Sequence, residues 1–275
     1  MSVSAQDVKR LREITGAGMM DCKAALAESN GDFDGAIEVL RKKGQKLSAK
    51  RADREANEGV VLALVDAAGE NGIVVQISCE TDFVAKNDDF VSFAKSIADK
   101  ALTTLPESKE ALLATEINGE KISDLIIAQV GKIGEKVELY RYEKLSAATV
   151  IPYIHMGNRA GVLVGLSKKG DSIINAGKDL SMQIAAMKPV AVDKDDVSQD
   201  IINKEIEIGM EIARNEGKPE AMLEKIAQGK LQKFFKESTL LNQAFVKDNN
   251  MTIADYLKSI DKEVKVTGFK HLYLG

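Results

Sequence analysis

An internal repeat in the middle of the chain constrains its fold more than any other feature. Val61 to Ser78, VLALVDAAGENGIVVQIS, aligns without a gap to Val150 to Ser167, VIPYIHMGNRAGVLVGLS, at an offset of 89 residues. Val61/Val150, Gly72/Gly161, Val75/Val164 and Ser78/Ser167 are identical, and Leu62/Ile151, Ile73/Val162, Val74/Leu163 and Ile77/Leu166 keep their character. Each copy has two β-rich runs around a turn containing Gly and Asn, the pattern of a β-hairpin. A helical pattern follows each, over Phe90 to Leu102 and over Ala176 to Met187. The chain is therefore expected to be α+β, with two related core subdomains.

Three short helices precede the repeat. Ser4 is placed to cap the first, with Asp7 at its third position, Val8, Leu11 and Ile14 at helical spacing, and Gly16 as the stop. The second carries Cys22, Ala25 and Leu26 and ends at Asn30-Gly31. Asp32 caps the third, in which Phe33, Ile37 and Leu40 share a face and Gly44 is the expected end. A bundle this small has a thin core and suits an interaction module better than an enzyme. Residues 46–58 then read as a basic linker, with Lys46, Lys50, Arg51 and Arg54 against Asp53, Glu55 and Glu58. A solvated helical linker and contact with an acidic partner both fit that run.

The second subdomain is interrupted. Ile201/Ile202, Ile208/Gly209 and Ile212/Ala213 recur at about heptad spacing, and Leu223, Ile226, Ala227, Leu231 and Phe234 follow after a Gly217 stop and a Pro219 start. This is the pattern of an αα-hairpin, either projecting as an antiparallel coiled coil of about 30 Å or lying flat on the body. The expected domains are 1–45, the linker 46–58, core subdomain N at 59–145, core subdomain C at 146–191 with 236–275, and the inserted hairpin at 192–235. Val264 to Phe269 is expected to return as a strand to the second sheet.

Composition and motifs argue against covalent chemistry. The 275 residues carry a net charge of −4, which does not suit direct nucleic-acid binding by the whole molecule. No apolar run reaches the roughly 20 residues that span a bilayer, and the first residues lack a leader pattern, so a cytoplasmic protein is expected. Cys22 and Cys79 stand at neither redox nor zinc spacing and read as buried thiols. His155 and His271 are the only histidines and have no ligand neighbours, so each reads as a surface or interface side chain. No phosphate-binding glycine motif and no nucleophile elbow is present. No cofactor and no metal is expected.

Two segments look built for a partner instead. Thr15-Gly-Ala-Gly-Met19-Met20 places two large apolar side chains after a glycine-rich helix end, where they either fill the bundle core or form an exposed adaptable anchor. Glu80-Thr81-Asp82-Phe83-Val84-Ala85-Lys86-Asn87 sets an aromatic beside a carboxylate at the end of the first hairpin. It reads either as a helix cap with a core Phe or as an insertion device. The second copy has Lys168-Lys-Gly-Asp171 there and no aromatic, so the fold itself does not call for Phe83.

Those segments carry a family resemblance. LREITGAGMMDCKAAL, Leu11 to Leu26, resembles the amino-terminal signature of elongation factor Ts, and TDFVAKN, Thr81 to Asn87, resembles its second signature. The similarity extends over His155 to Val164, the inserted hairpin and Val266 to Phe269. It implies a ubiquitin-associated-like three-helix domain, two related core subdomains and an inserted antiparallel coiled coil. It further implies guanine nucleotide exchange on elongation factor Tu, with Thr81, Asp82, Phe83 and Val84 entering beside that GTPase's magnesium. Leu11, Met19 and Met20 would hold its nucleotide-binding domain, and His155 would belong to a further contact surface. Self-association through the coiled coil is left open. Two readings from other classes remain at this point: an adaptor that tethers partners, and an RNA-binding protein using Lys42, Lys43, Lys46, Lys50 and Arg51.

Overall fold

The computed structural model describes residues 3–275, and the molecule is α+β. Helices α1 (Ala5–Thr15), α2 (Met19–Glu28) and α3 (Phe33–Arg51) come first. Ser4 Oγ accepts from Asp7 N–H at 3.0 Å, and Gly16, at φ 67°, closes α1 in the left-handed conformation that glycine adopts without strain. Val8, Leu11, Cys22, Ala25, Leu26 and Ala36 form the bundle core. Two expected core positions point outward: Ile14 is 58% exposed and Ile37 36%. On α3 the inward side is held by Ala36, Val39 and Leu40 instead of Ile37.

Gly44 does not end α3. The helix runs on to Arg51, and Gly44 is buried where a side chain would lie 3.0 Å from the Ile127 carbonyl oxygen. Its missing side chain lets two helices cross closely, and Arg41 adds a 2.8 Å ion pair to Asp124.

The first repeat begins with β1 (Glu58–Val65) and β2 (Asn71–Cys79), then α4 (Asp82–Ala85), α5 (Asp88–Thr104) and α6 (Lys109–Ala114). The two-residue strands β3 (Glu116–Ile117) and β4 (Glu120–Lys121) lead to α7 (Ile122–Ile133), the partner of α3, and to β5 (Val137–Ser146). The second repeat has β6 (Thr149–His155), β7 (Ala160–Leu166) and α8 (Asp171–Met187). The long pair α9 (Gln199–Asn215) and α10 (Glu220–Ser238) follows, then β8 (Ala244–Phe245), β9 (Asp248–Thr252), α11 (Ile253–Ile260) and β10 (Val266–Tyr273).

Two antiparallel three-stranded sheets result, ordered β1-β2-β5 and β6-β7-β10. Their hairpins share one register: Val65 faces Gly72 and Ile154 faces Gly161, each pair related by the repeat offset. In β2 the period of two assigns Ile73, Val75 and Ile77 to the helical side, with Phe90, Ile97, Ile122 and Val130, while Val74 faces the other sheet. Val162, Val164 and Leu166 likewise pack on Ile173, Leu180 and Ile184 of α8.

The sheets meet through the repeat's shared glycines. A Cβ on Gly72 would lie 2.9 Å from Val150 and Leu163, and one on Gly161 would lie 2.9 Å from Val61 and 3.1 Å from Val74. Val61/Val150 and Val74/Leu163 are themselves repeat partners, so each copy packs on the other through equivalent residues. The helices α9 and α10 pack on each other, with Gly209 against the Ala227 backbone, and α10 otherwise meets the short 3-10 turn at Leu240–Asn242. Among the described residues, no helix is long and apolar enough to cross a membrane.

Candidate functional site

The Thr81–Asn87 segment is a single helical turn displayed at the end of β2. Thr81 is its N-cap, with the hydroxyl accepting from Val84 N–H at 3.4 Å. Asn87 Oδ1 then accepts from the Asp89 and Phe90 amides to start α5. The two phenylalanines have opposite fates, since Phe90 is 1% exposed in the core and Phe83 is 83% exposed. Val84 is half-buried against the core beneath. Asp82 pairs with Lys86 at 2.7 Å, and that hydrogen bond holds its carboxyl below the ordinary value. A groove beside Phe83 is lined by Thr81, Val84, Asn87, Gln129, Lys132 and Ile133.

The residues behind the turn are strongly polar. Burial works to raise the pKa of Glu80, but hydrogen bonds from the Lys136 amide (2.6 Å), Arg51 (2.6 Å) and Arg54 (3.0 Å) outweigh it and bring it to about 2. Glu135 accepts from both the backbone N–H (3.0 Å) and the hydroxyl (2.7 Å) of Thr81. Cys79 Sγ donates to the Thr81 carbonyl oxygen at 3.3 Å, and burial pushes its thiol up to about 12. Both cysteines are free and buried. Sequence reading missed Glu135 altogether, and had Glu80 only as the start of the segment and Arg51 only as part of the basic run. The contacts that join them span 26 to 56 residues, so no local pattern announces them.

Met19 and Met20 are 58% and 72% exposed and lie outside the bundle core. Leu11 is a correction. It is fully enclosed by the three helices and has no surface to offer a partner. The glycine-rich segment before Met19 lies near the Phe83 groove, because Gly16 rests against the Lys132 side chain that lines it.

His155 sits on the β6–β7 hairpin, half-buried, with Nδ1 2.9 Å from the Tyr153 hydroxyl. That hairpin reaches the same end of the first sheet as the Phe83 turn. Arg159 pairs with Glu58 at 2.8 Å, Val61 N–H donates to the Asn158 carbonyl, and Glu58 faces Cys79 across the ladder. His271, expected as a surface or interface side chain, is half-buried: burial lowers it to about 4, and its Nε2 is enclosed without a partner.

Three residues of the basic run pair within the chain, Lys42 with Glu38, Lys43 with Asp21 and Arg51 with Glu80. Among the described residues, no group of three or more His, Cys, Asp or Glu side chains is arranged to hold a metal ion.

Known proteins match this chain from end to end. The family model described as Elongation factor TS matches residues 80–275. An elongation factor Ts from Amoebophilus asiaticus is 52% identical over 276 residues, with 100% of each chain covered. One from Christiangramia forsetii is 51% identical over 273 residues, covering 99% of each. The chain belongs to the elongation factor Ts family. A third relative, the elongation factor Ts of Flavobacterium psychrophilum, is 52% identical over 274 residues, with 100% of this chain and 99% of the relative covered. Membership makes the chain a translation elongation factor with a nucleotide-exchange role, a task in which no covalent bond is made or broken.

Proposed function

We propose that this chain binds elongation factor Tu in its GDP state, displaces magnesium and GDP by inserting the Asp82-Phe83 turn, and leaves when GTP rebinds. The observation that carries this reading is Phe83, an aromatic 83% exposed on a turn anchored from behind, in only one of two otherwise matching repeats. Burying a side chain of that size in an apolar slot is worth about 1.5–3 kcal/mol, enough to drive a wedge into a partner.

The thermodynamics is linkage. A factor that binds nucleotide-free GTPase better than the GDP form weakens GDP by the same ratio. Removing a divalent cation from the β-phosphate takes away the largest local charge holding the nucleotide. In this reading Asp82 brings a carboxylate to that ion's surroundings, Thr81 and Val84 seat the turn, Met19 and Met20 grip the nucleotide-binding domain, and His155 contributes from the second subdomain. Leu11 shapes the bundle without touching the partner. The same proposal includes a ubiquitin-associated-like first domain, two repeated core subdomains within the limits given above, a coiled-coil insertion able to self-associate, and a cytoplasmic location.

Stopped-flow release of a fluorescent GDP analogue from elongation factor Tu tests the reading. Release should accelerate steeply with added protein; unchanged release alongside intact binding would make the chain a tether instead.

A further inference from the structure

Residues 80–81 and 135–136 clasp each other across the end of the first sheet. Glu135 takes two hydrogen bonds from Thr81, and Glu80 takes the Lys136 amide in return. The Thr81 hydroxyl donates to Glu135 and accepts from Val84 N–H, so the carboxylate fixes the hydroxyl in the orientation that caps α4. A helix of four residues has no stability of its own, and its geometry must come from its ends. Phe83 is the exposed outer side of this turn, Val84 and Ala85 pack on the core beneath it, and the Thr81 end is its polar anchor on the β2 side.

The second repeat shows the comparison. There, too, the residues after the second strand are tied to those before the third: Ser167 Oγ accepts from Lys265 N–H at 2.9 Å, and Lys168 binds Asp261 and Glu263. What that copy lacks is the pair of hydrogen bonds from a capping threonine to a carboxylate, and it also lacks the displayed aromatic. The extra contact occurs in the copy that carries the exposed turn.

We propose that Glu135 is a positioning residue for nucleotide exchange, holding Thr81 and through it the α4 turn so that Phe83 is presented in one fixed orientation. This rests on the exchange reading above. Ordering the turn before binding spares its entropy at the moment of insertion and keeps the aromatic aimed.

The test uses the full-length chain with Glu135→Ala, Thr81→Val and Thr81→Ser, and reads two quantities. In stopped-flow GDP release, Glu135→Ala and Thr81→Val should each lower the maximal stimulated rate about tenfold, the scale of a lost hydrogen bond to a charged group. The concentration for half-maximal effect should stay within about twofold. Thr81→Ser keeps the hydroxyl and should recover most of what Thr81→Val loses in both readouts. In the protein alone, hydrogen exchange at the Val84–Asn87 amides should speed up about tenfold in the first two variants. Parent-like maximal rate or parent-like amide protection in Glu135→Ala overturns the inference, and a raised half-maximal concentration alone would make Glu135 a contact. Should Glu135→Ala not fold, Glu135→Gln, which keeps one carbonyl oxygen to accept where the carboxylate offers two, decides the same point through the same two readouts. If the parent itself fails to speed GDP release, the exchange reading falls, while the amide measurement still decides whether Glu135 holds the turn.

Discussion

Phe83 and Phe90 stand seven positions apart and do opposite work, and the difference is one of anchoring. Phe90 is locked in the core of the first subdomain, whereas Phe83 rests on a turn whose polar ends are held and whose tip is free. Phe83→Ala should therefore leave thermal stability within about 2 °C, as exposed substitutions do. It should slow stimulated GDP release about 10- to 100-fold by removing an apolar anchor. A calorimetric scan beside the release assay separates the two, and a large drop in melting temperature would make Phe83 structural. Glu80 makes the complementary prediction. Its folded pKa of about 2 lies below its ordinary 4.5, so its charged form stabilises the fold. That contribution is complete above about pH 4.5 and disappears as the pH falls towards 2. Glu80→Gln should lower stability at pH 7 by about 2 kcal/mol, leaving Arg51 and Arg54 short of a partner. Urea denaturation of the two proteins should show the gap closing as the pH is lowered from 5 to about 2.

At the scale of elements, sequence told most where local chemistry decided and least where a distant surface did. Ser4 and Asp32 read as caps because a short polar side chain at a helix start has amides to accept from, and both bonds are present. Gly44 reads as a stop in isolation, yet it lies mid-helix, because the side-chain-free spot is needed by Ile127 of α7, far along the chain. The same logic distinguishes two glycines of the helical hairpin. Gly229 in α10 has nothing within 4 Å of an added Cβ, whereas on Gly209 in α9 that atom would lie 3.1 Å from Ala227 Cα, a backbone atom unable to move aside. Gly229→Ala should gain about 0.5–1 kcal/mol from helix propensity alone. Gly209→Ala should lose more than that gain by prising α9 from α10. Chemical denaturation that ranks Gly209→Ala above Gly229→Ala would show that the two helices are not closely packed at that crossing.

The molecule as a whole is organised by its repeat, and here the sequence was informative because the alignment carried packing as well as strands. Identical glycines at one offset mark where two sheets approach, which hydrophobic patterning alone does not reveal. The Thr81–Asn87 turn was legible as an oddity, an aromatic missing from the other copy, but the clasp behind it was not, since its residues come from three separate segments. The reciprocity of the sheet contact has a measurable consequence. Gly72→Ala pushes into Val150 and Leu163, and Gly161→Ala into Val61 and Val74, with Cβ contacts of 2.9 to 3.1 Å. These are ends of branched side chains packed in a shared layer, so each substitution should cost about 1–3 kcal/mol as the sheets move apart. Once one substitution has separated the sheets, the second finds part of its space already open. The double variant should thus lose less than the two single losses together, with a coupling of about 0.5 kcal/mol or more, the range for residues sharing one interface. Urea unfolding of the three variants and the parent closes that cycle, and strict additivity would mean that the two halves yield independently at their glycines.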